Sequence, residues 1–291
     1  MHPAPSVIIF TSLSGIGFGL MAWLGFGFPP VTGMTAFIFF FIAYALAVGG
    51  LIASTFHLGN PKNAIKAFSQ WRSSWLSREG IMAIVSLFVM AVYAIGLIFL
   101  EQRWQIFGWA GAIFSLVTIY TTSMIYGQMK TVPRWSMGLT PALFLLYALA
   151  GGALLAGQIF PAALLLTVLT VVQYVSWQIG DTRFEQSRHT IETATGLGSL
   201  GKVRLLESPH SSPNYLMKEM VYIVGRKHAQ KLRIIAIVLL GIVPAVILLF
   251  VPFSHMFAGV AVLSHMIGLF ISRWLFFAEA EHVVGLYYDK R

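Results

Sequence analysis

STFHLGNPKNAIKAFSQWRSSWLSREGI, residues 54–81, is a polar passage between two long apolar runs. MTAFIFFFIAYALAVGGLIASTF (34–56) leads into it and IMAIVSLFVMAVYAIGLIFL (81–100) leaves it. Each run supplies the roughly 20 apolar residues that a helix needs to cross a bilayer. In hydrocarbon the backbone polar groups must be paired within the segment, so such runs are helices and not open strands. The passage carries His57, a Gly/Asn/Pro turn and a closing Ser77-Arg78-Glu79. In surroundings that are otherwise apolar, it is the first place to look for chemistry.

The rest of the 291 residues repeats the pattern. The chain is 57% hydrophobic and 10% charged, with a mean hydropathy of +0.79, where soluble domains carry about 25% charged residues. The expected fold class is all-α, a polytopic membrane protein built as a bundle of eight transmembrane helices. The spans are expected at Val7–Phe28, Met34–Phe56, Ile81–Leu100, Phe107–Gly127, Pro141–Gly157, Pro161–Ile179, Ile234–Val251 and Phe257–Ala278. The fifth is short, and Pro244 predicts a kink in the seventh. The N-terminal MHPAPSVIIF has no basic stretch and leads into an apolar segment too long for a signal peptide, so it is expected to be retained. Residues 1–291 form one membrane domain, with a long polar loop at 180–233. Gly15, Gly17, Gly19, Gly49, Gly50, Gly151 and Gly152 are expected to let helices approach closely. There is no cysteine, which excludes disulfides, thiolate zinc sites and iron–sulfur clusters held by this chain.

With eight spans, both termini and the even-numbered connections share one side. Of the 19 Lys and Arg residues, Arg103 alone falls on the other. The positive-inside rule therefore places both termini and residues 54–81 in the cytoplasm. The opposite connections are only a few residues long, so the basic face is where the chain has surface to offer.

Several residues compete as functional candidates. His57 can exchange protons near neutral pH and bond a carbonyl, or simply end a helix at the interface. Arg78 and Glu79 open the third span, where a carboxylate in the first turn would also complement the helix dipole. Consecutive antiparallel spans bring His57 and Glu79 near one another. A histidine, an arginine and a carboxylate at the edge of the apolar zone suit a quinone headgroup. Arg273 sits inside the last apolar run, either as a functional group or snorkelling to the interface. His265 lies deeper without a second histidine at its depth, which argues against ligation of haem b and makes an interhelical hydrogen bond the expected role. Gly196, Gly198 and Gly201 have G-x-G-x-x-G spacing, but the insert is too short for a βαβ unit, so the match reads as a glycine-rich loop. Residues 213–233 read as a basic amphipathic helix lying on lipid or against a partner. No metal site and no nucleic-acid surface is expected. A transporter would show internal repeats and charges near the midplane, and neither is present in the pattern.

Ser54-Thr-Phe-His-Leu-Gly-Asn-Pro61, Ser77-Arg-Glu-Gly-Ile81, Thr131-Val-Pro-Arg-Trp135 with Thr140-Pro141, and Arg273-x-x-Phe-Phe277 resemble the membrane anchor subunits of the dimethyl sulfoxide reductase type. The resemblance covers all eight spans. It implies an anchor that binds ubiquinone or menaquinone, typically without haem. It also implies a four-cluster ferredoxin-like iron–sulfur subunit and a molybdopterin catalytic subunit as partners. The family's quinone-site histidine falls on His57 and its glutamate on Glu79; with Arg78 and Arg273 these form the expected quinone-binding set. Lys62, Lys66, Arg72, Lys130 and Arg134 on the basic face are the expected docking points for the partners. The cytoplasmic placement of the motifs and the long insert resemble the anchors of cytoplasmic, membrane-bound sulfite dehydrogenases of bacterial inner membranes, which pass electrons from sulfite into the quinone pool. A quinol-oxidising anchor of a terminal reductase and a haem b anchor are the alternatives.

Overall fold

A computed structural model describes residues 1–56, 61–207, 210, 212, 214–221 and 224–289. Eight apolar helices stand where the hydropathy places them. They are α1 (Pro5–Gly25), α2 (Gly33–Thr55), α3 (Trp75–Phe99), α4 (Gln105–Gly127), α5 (Leu139–Leu155), α6 (Ile159–Gln186), α7 (Arg226–Phe250) and α8 (His255–Ala278). Seven are long and apolar enough to cross a membrane, and α5, with 17 residues, is the short one. It rises about 26 Å, a few ångströms less than a hydrocarbon core of roughly 30 Å. The compact turn before it, which buries Val132 and Trp135, takes up that end of the bundle.

The helix ends differ from the hydropathy reading in ways that matter for the site. Ser74 caps α3 by accepting from the Ser77 amide at 3.4 Å, so α3 starts six residues before the apolar run. Glu79 therefore lies in the second turn rather than the first, and the dipole no longer accounts for it. Helix α6 runs on to Gln186 and carries Asp181 with it, while α7 begins at Arg226. The polar connection is thus shorter at both ends than 180–233. The expected amphipathic helix over 213–233 is instead broken into Tyr215–Glu219, a 3-10 turn at Val224–His228 and the start of the next α-helix. The glycine-rich loop begins at the end of a single helical turn, Ile191–Thr195, where Gly196 takes the left-handed cap at φ 70°. Pro61–Gln70 is a 3-10 segment.

Helix α1 is the hub, packed against α2, α4, α5 and α8. Its small residues make this possible. A Cβ placed on Gly152 of α5 would lie 2.6 Å from the Gly19 carbonyl oxygen of α1. Gly17 meets α2 at Ala43 and Ala47, Gly50 meets Ser14, and Gly151 faces Ile16 and His265. Gly15 and Gly49 face open space, so close approach uses five of the seven glycines expected to serve it.

Helix α7 is irregular next to Pro244, where a kink is expected. A π-helical turn, Val238–Ile242, precedes it. Proline has no amide to offer the carbonyl four residues back, and that carbonyl, Leu240, accepts instead from His265 Nδ1 of α8 at 2.7 Å. Ser264 likewise donates to the Leu239 carbonyl at 2.8 Å. His265 is the interhelical bond expected of it, and the acceptor fixes its proton on Nδ1. At one end of the bundle the Met1 amine donates to the Ala280 carbonyl at 2.7 Å, so the start of the chain meets the end of α8.

Candidate functional site

At that same end, α5, α6, α8 and the α4–α5 connection line a narrow pocket. Its walls are Leu143, Phe144 and Phe276, its polar groups are Tyr147, Gln173, Ser176, Ser272 and Arg273, and Arg134 and Glu279 also line it. Arg273 decides its character. The side chain is 3% exposed and does not snorkel to solvent. Its guanidinium lies 3.8 Å from the Phe144 ring centre and 4.5 Å from that of Tyr147. Among the described residues it has no carboxylate partner, and its Nε is buried with nothing to donate to. The Tyr147 hydroxyl bonds Gln173 Oε1 at 2.6 Å and also meets Ser272 Oγ in a short hydrogen bond. A chain of three side chains from three helices therefore faces one arginine that lacks a counter-ion among the described residues.

The T-V-P-R-W element forms part of the frame. Trp135 stacks on Phe276 at 5.2 Å and 12° and donates its Nε1 to the Phe276 carbonyl at 2.9 Å. Thr140 Oγ1 closes the turn by donating to the Trp135 carbonyl at 2.7 Å. Tyr126, Phe144, Phe276 and Phe277 complete an aromatic cluster around it. Beside the pocket lies an ionic knot. Arg134 meets Asp181 at 2.5 Å and Glu279 at 3.6 Å, while Arg233 meets Asp181 at 2.6 Å and Glu279 at 2.7 Å. Two cations and two anions tie the α4–α5 connection, α6, α7 and the end of α8 together.

Of the expected quinone residues that the structure describes, Arg273, Glu79 and Arg78, one lies in this pocket. Arg273 lines it. Glu79 is buried at the α3–α4 seam, where it accepts from Thr122 Oγ1 at 2.5 Å. A heptad further down the same seam, Ser86 and Ser115 bond at 2.8 Å. Tyr126 lies between the two regions: it is one turn along α4 from Thr122, the partner of Glu79, and packs 5.8 Å from Phe144, the ring that carries the Arg273 guanidinium. Arg78 is committed to its own loop. It donates to the Trp71 carbonyl at 2.9 Å and the Arg72 carbonyl at 2.6 Å, and it lies 4.3 Å over Trp75. His57 and the Lys62 side chain lie outside the described residues. Of the expected docking residues, Lys66, Arg72 and Lys130 are exposed, whereas Arg134 is bound into the ionic knot.

Sequence reasoning missed Tyr147, Gln173 and Ser272, and it missed the Asp181–Arg233–Glu279 pairing. Gln173 carried a usable signal, as an amide in the middle of an apolar run. Asp181 and Arg233 were assigned to a loop because the apolar run stops before them, although the helices continue. Among the described residues, no group of three or more His, Asp or Glu side chains is arranged to hold a metal.

Comparison with known proteins agrees with this architecture. No solved structure matches the chain. A sulfite dehydrogenase subunit of Allochromatium vinosum is 30% identical, with 99% of each chain covered. The family model for the DMSO reductase anchor subunit (DmsC) matches residues 1–278, which takes in all eight helices and every residue named for the pocket except Glu279. The chain belongs to the DMSO reductase anchor subunit family.

Proposed function

We propose that this multi-pass chain, the membrane anchor of a molybdopterin oxidoreductase, exchanges electrons between an iron–sulfur partner subunit and the quinone pool, and that the Arg273 pocket receives the quinone headgroup. The observation that carries this reading is a buried guanidinium without an anion among the described residues, set in a pocket with aromatic walls. An arginine within a span is costly and ordinarily pairs with a carboxylate or marks a ligand path. A quinone offers a planar ring to the aromatic walls and carbonyl oxygens to the unused donors. Quinone chemistry supplies an acceptor for two electrons and two protons. Arg273 would bond one carbonyl oxygen and stabilise negative charge as it develops there. The Tyr147 hydroxyl, fixed by Gln173 and Ser272, presents a second polar group. Arg134, which lines the pocket, is paired with Asp181, 37% exposed. Glu79, off the pocket, is placed to hold a proton behind Tyr126, and His57 is assigned the proton exchange that the family resemblance implies.

The sulfite dehydrogenase relative supports quinone reduction coupled to sulfite oxidation, whereas the family description favours quinol oxidation by a terminal reductase as the second reading. The charge asymmetry supports a bacterial inner membrane with both termini, and the partner subunits, on the cytoplasmic side. The test is quinone-linked against artificial-acceptor turnover of the assembled complex. Arg273→Gln and His57→Ala should each remove the first and leave the second intact. Quinone-linked turnover unchanged in Arg273→Gln would overturn the pocket assignment.

A further inference from the structure

A second cleft opens between the α4–α5 connection and the end of α6. It is about 230 Å³ and is lined by Lys130, Arg183 and His189 together with Ser136 and Gln186, and among the described residues no carboxylate lines it. Among the described residues these three basic groups have no ion pair. Arg183 gives one Nη2 hydrogen to the Ser136 carbonyl at 3.0 Å, and its Nε is buried without a partner. The ionic knot nearby is balanced between two cations and two anions, so it does not neutralise this cluster.

The position along α6 indicates what compensates the charge. Val168, Val171, Val175 and Ile179 are all exposed, and their spacing of three and four residues puts them on one face of the helix. Arg183 continues the series one turn on and lines the cleft. An apolar stripe thus ends at a basic cleft near the end of the apolar run, where the hydrocarbon gives way to the headgroup layer. Basic pockets between spans at this depth are suited to anionic lipid headgroups.

We propose that this cleft seats the phosphate of an anionic phospholipid, with Lys130, Arg183 and His189 around the headgroup and an acyl chain along Val168, Val171, Val175 and Ile179. The ligand chemistry is a phosphate anion, and the apolar stripe favours a lipid as its source over free phosphate. The proposal does not depend on the quinone reading, because it concerns a different cleft.

The experiment uses the purified full complex, stripped of lipid and returned to phosphatidylglycerol or phosphatidylcholine in micelles, with retained lipid measured by native mass spectrometry. Phosphatidylglycerol should be retained and phosphatidylcholine should not. Lys130→Gln, an exposed position that leaves the bundle intact, should weaken retention about fivefold, and adding Arg183→Gln should bring the loss to about 30-fold. Millimolar inorganic phosphate should not displace the lipid. Equal retention of the two lipids, or unchanged retention in the Lys130→Gln and double variants, overturns the proposal. So does displacement by inorganic phosphate, which would make this a site for free anion. Release of the iron–sulfur subunit from the variants with lipid retention unchanged would make it a protein docking surface, and that also overturns it.

Discussion

Replacing Arg273 with methionine should make the protein more stable and leave it unable to turn over quinone. The side chain is 3% exposed and has no carboxylate partner among the described residues. Removing a guanidinium from water costs several kcal/mol even after the surroundings relax. The rings of Phe144 at 3.8 Å and Tyr147 at 4.5 Å return part of this, at about 1–2 kcal/mol for each desolvated contact. The balance leaves Arg273 a net burden of about 1–2 kcal/mol that methionine, flexible and of similar length, would relieve. In detergent this should appear as a rise of a few degrees in the unfolding midpoint, read by tryptophan fluorescence or by loss of monodisperse protein on heating. The same variant should lose quinone-linked electron transfer while the partner subunits still reduce or oxidise a soluble dye. Such an exchange of stability against activity is characteristic of groups kept for function. A variant less stable than the parent that keeps its quinone turnover would mean that Arg273 holds helices together and does not meet a ligand.

Glu279→Gln removes a buried charge 2.7 Å from Arg233. Deleting one partner of a buried pair costs 3–5 kcal/mol, but Asp181 remains on Arg233, so thermal unfolding should show a loss nearer to about 2 kcal/mol. The Glu279→Gln, Arg233→Gln double variant should lose less than the sum of the two single changes. His265→Phe should cost about 1–2 kcal/mol by leaving the Leu240 carbonyl without the donor that replaces the missing amide of Pro244. The purified protein should also show no Soret absorbance, whether or not His265 is present. Gly152→Ala should destabilise the bundle by about 1–3 kcal/mol, because the added methyl meets the Gly19 backbone. Gly15→Ala, which faces open space, should be neutral or stabilising. Equal effects at the two glycines would contradict the packing of α1 on α5.

The bundle was legible in the sequence because each span is a long unbroken apolar run, and length alone separates such runs from loops. Pro244 marked the irregular part of α7, although not its π-helical form, and the isolation of His265 pointed to its interhelical bond. Hydropathy failed at the ends. Apolar runs stop where hydrocarbon stops, but helices continue while the backbone stays paired, so Asp181 and Arg233 lay hidden in an apparent loop. The site was partly legible for a different reason. A charge within a span stands out, which exposed Arg273, but its neighbours Tyr147, Gln173 and Ser272 come from three helices whose azimuths are not written in local sequence. Residues 54–81 drew attention as the longest polar interruption between the early spans. There Arg78 is consumed in closing its own loop, and Glu79 pairs with a threonine across the next seam.

The central place of α1 bears on how the protein is made. It is the most enclosed of the spans, yet it precedes in the chain every helix that encloses it. On entering the membrane it must rest in lipid with its glycine- and serine-rich faces uncovered until α2, α4, α5 and α8 arrive. Those faces offer a waiting helix little to hold in lipid, since association there depends on close packing and interhelical hydrogen bonds. Although it precedes the other seven helices in the chain, α1 therefore reaches its final surroundings only when α8 arrives. Faults in the late spans, such as a bulky residue at Gly152, should surface as degradation of chains whose first helix never found its partners.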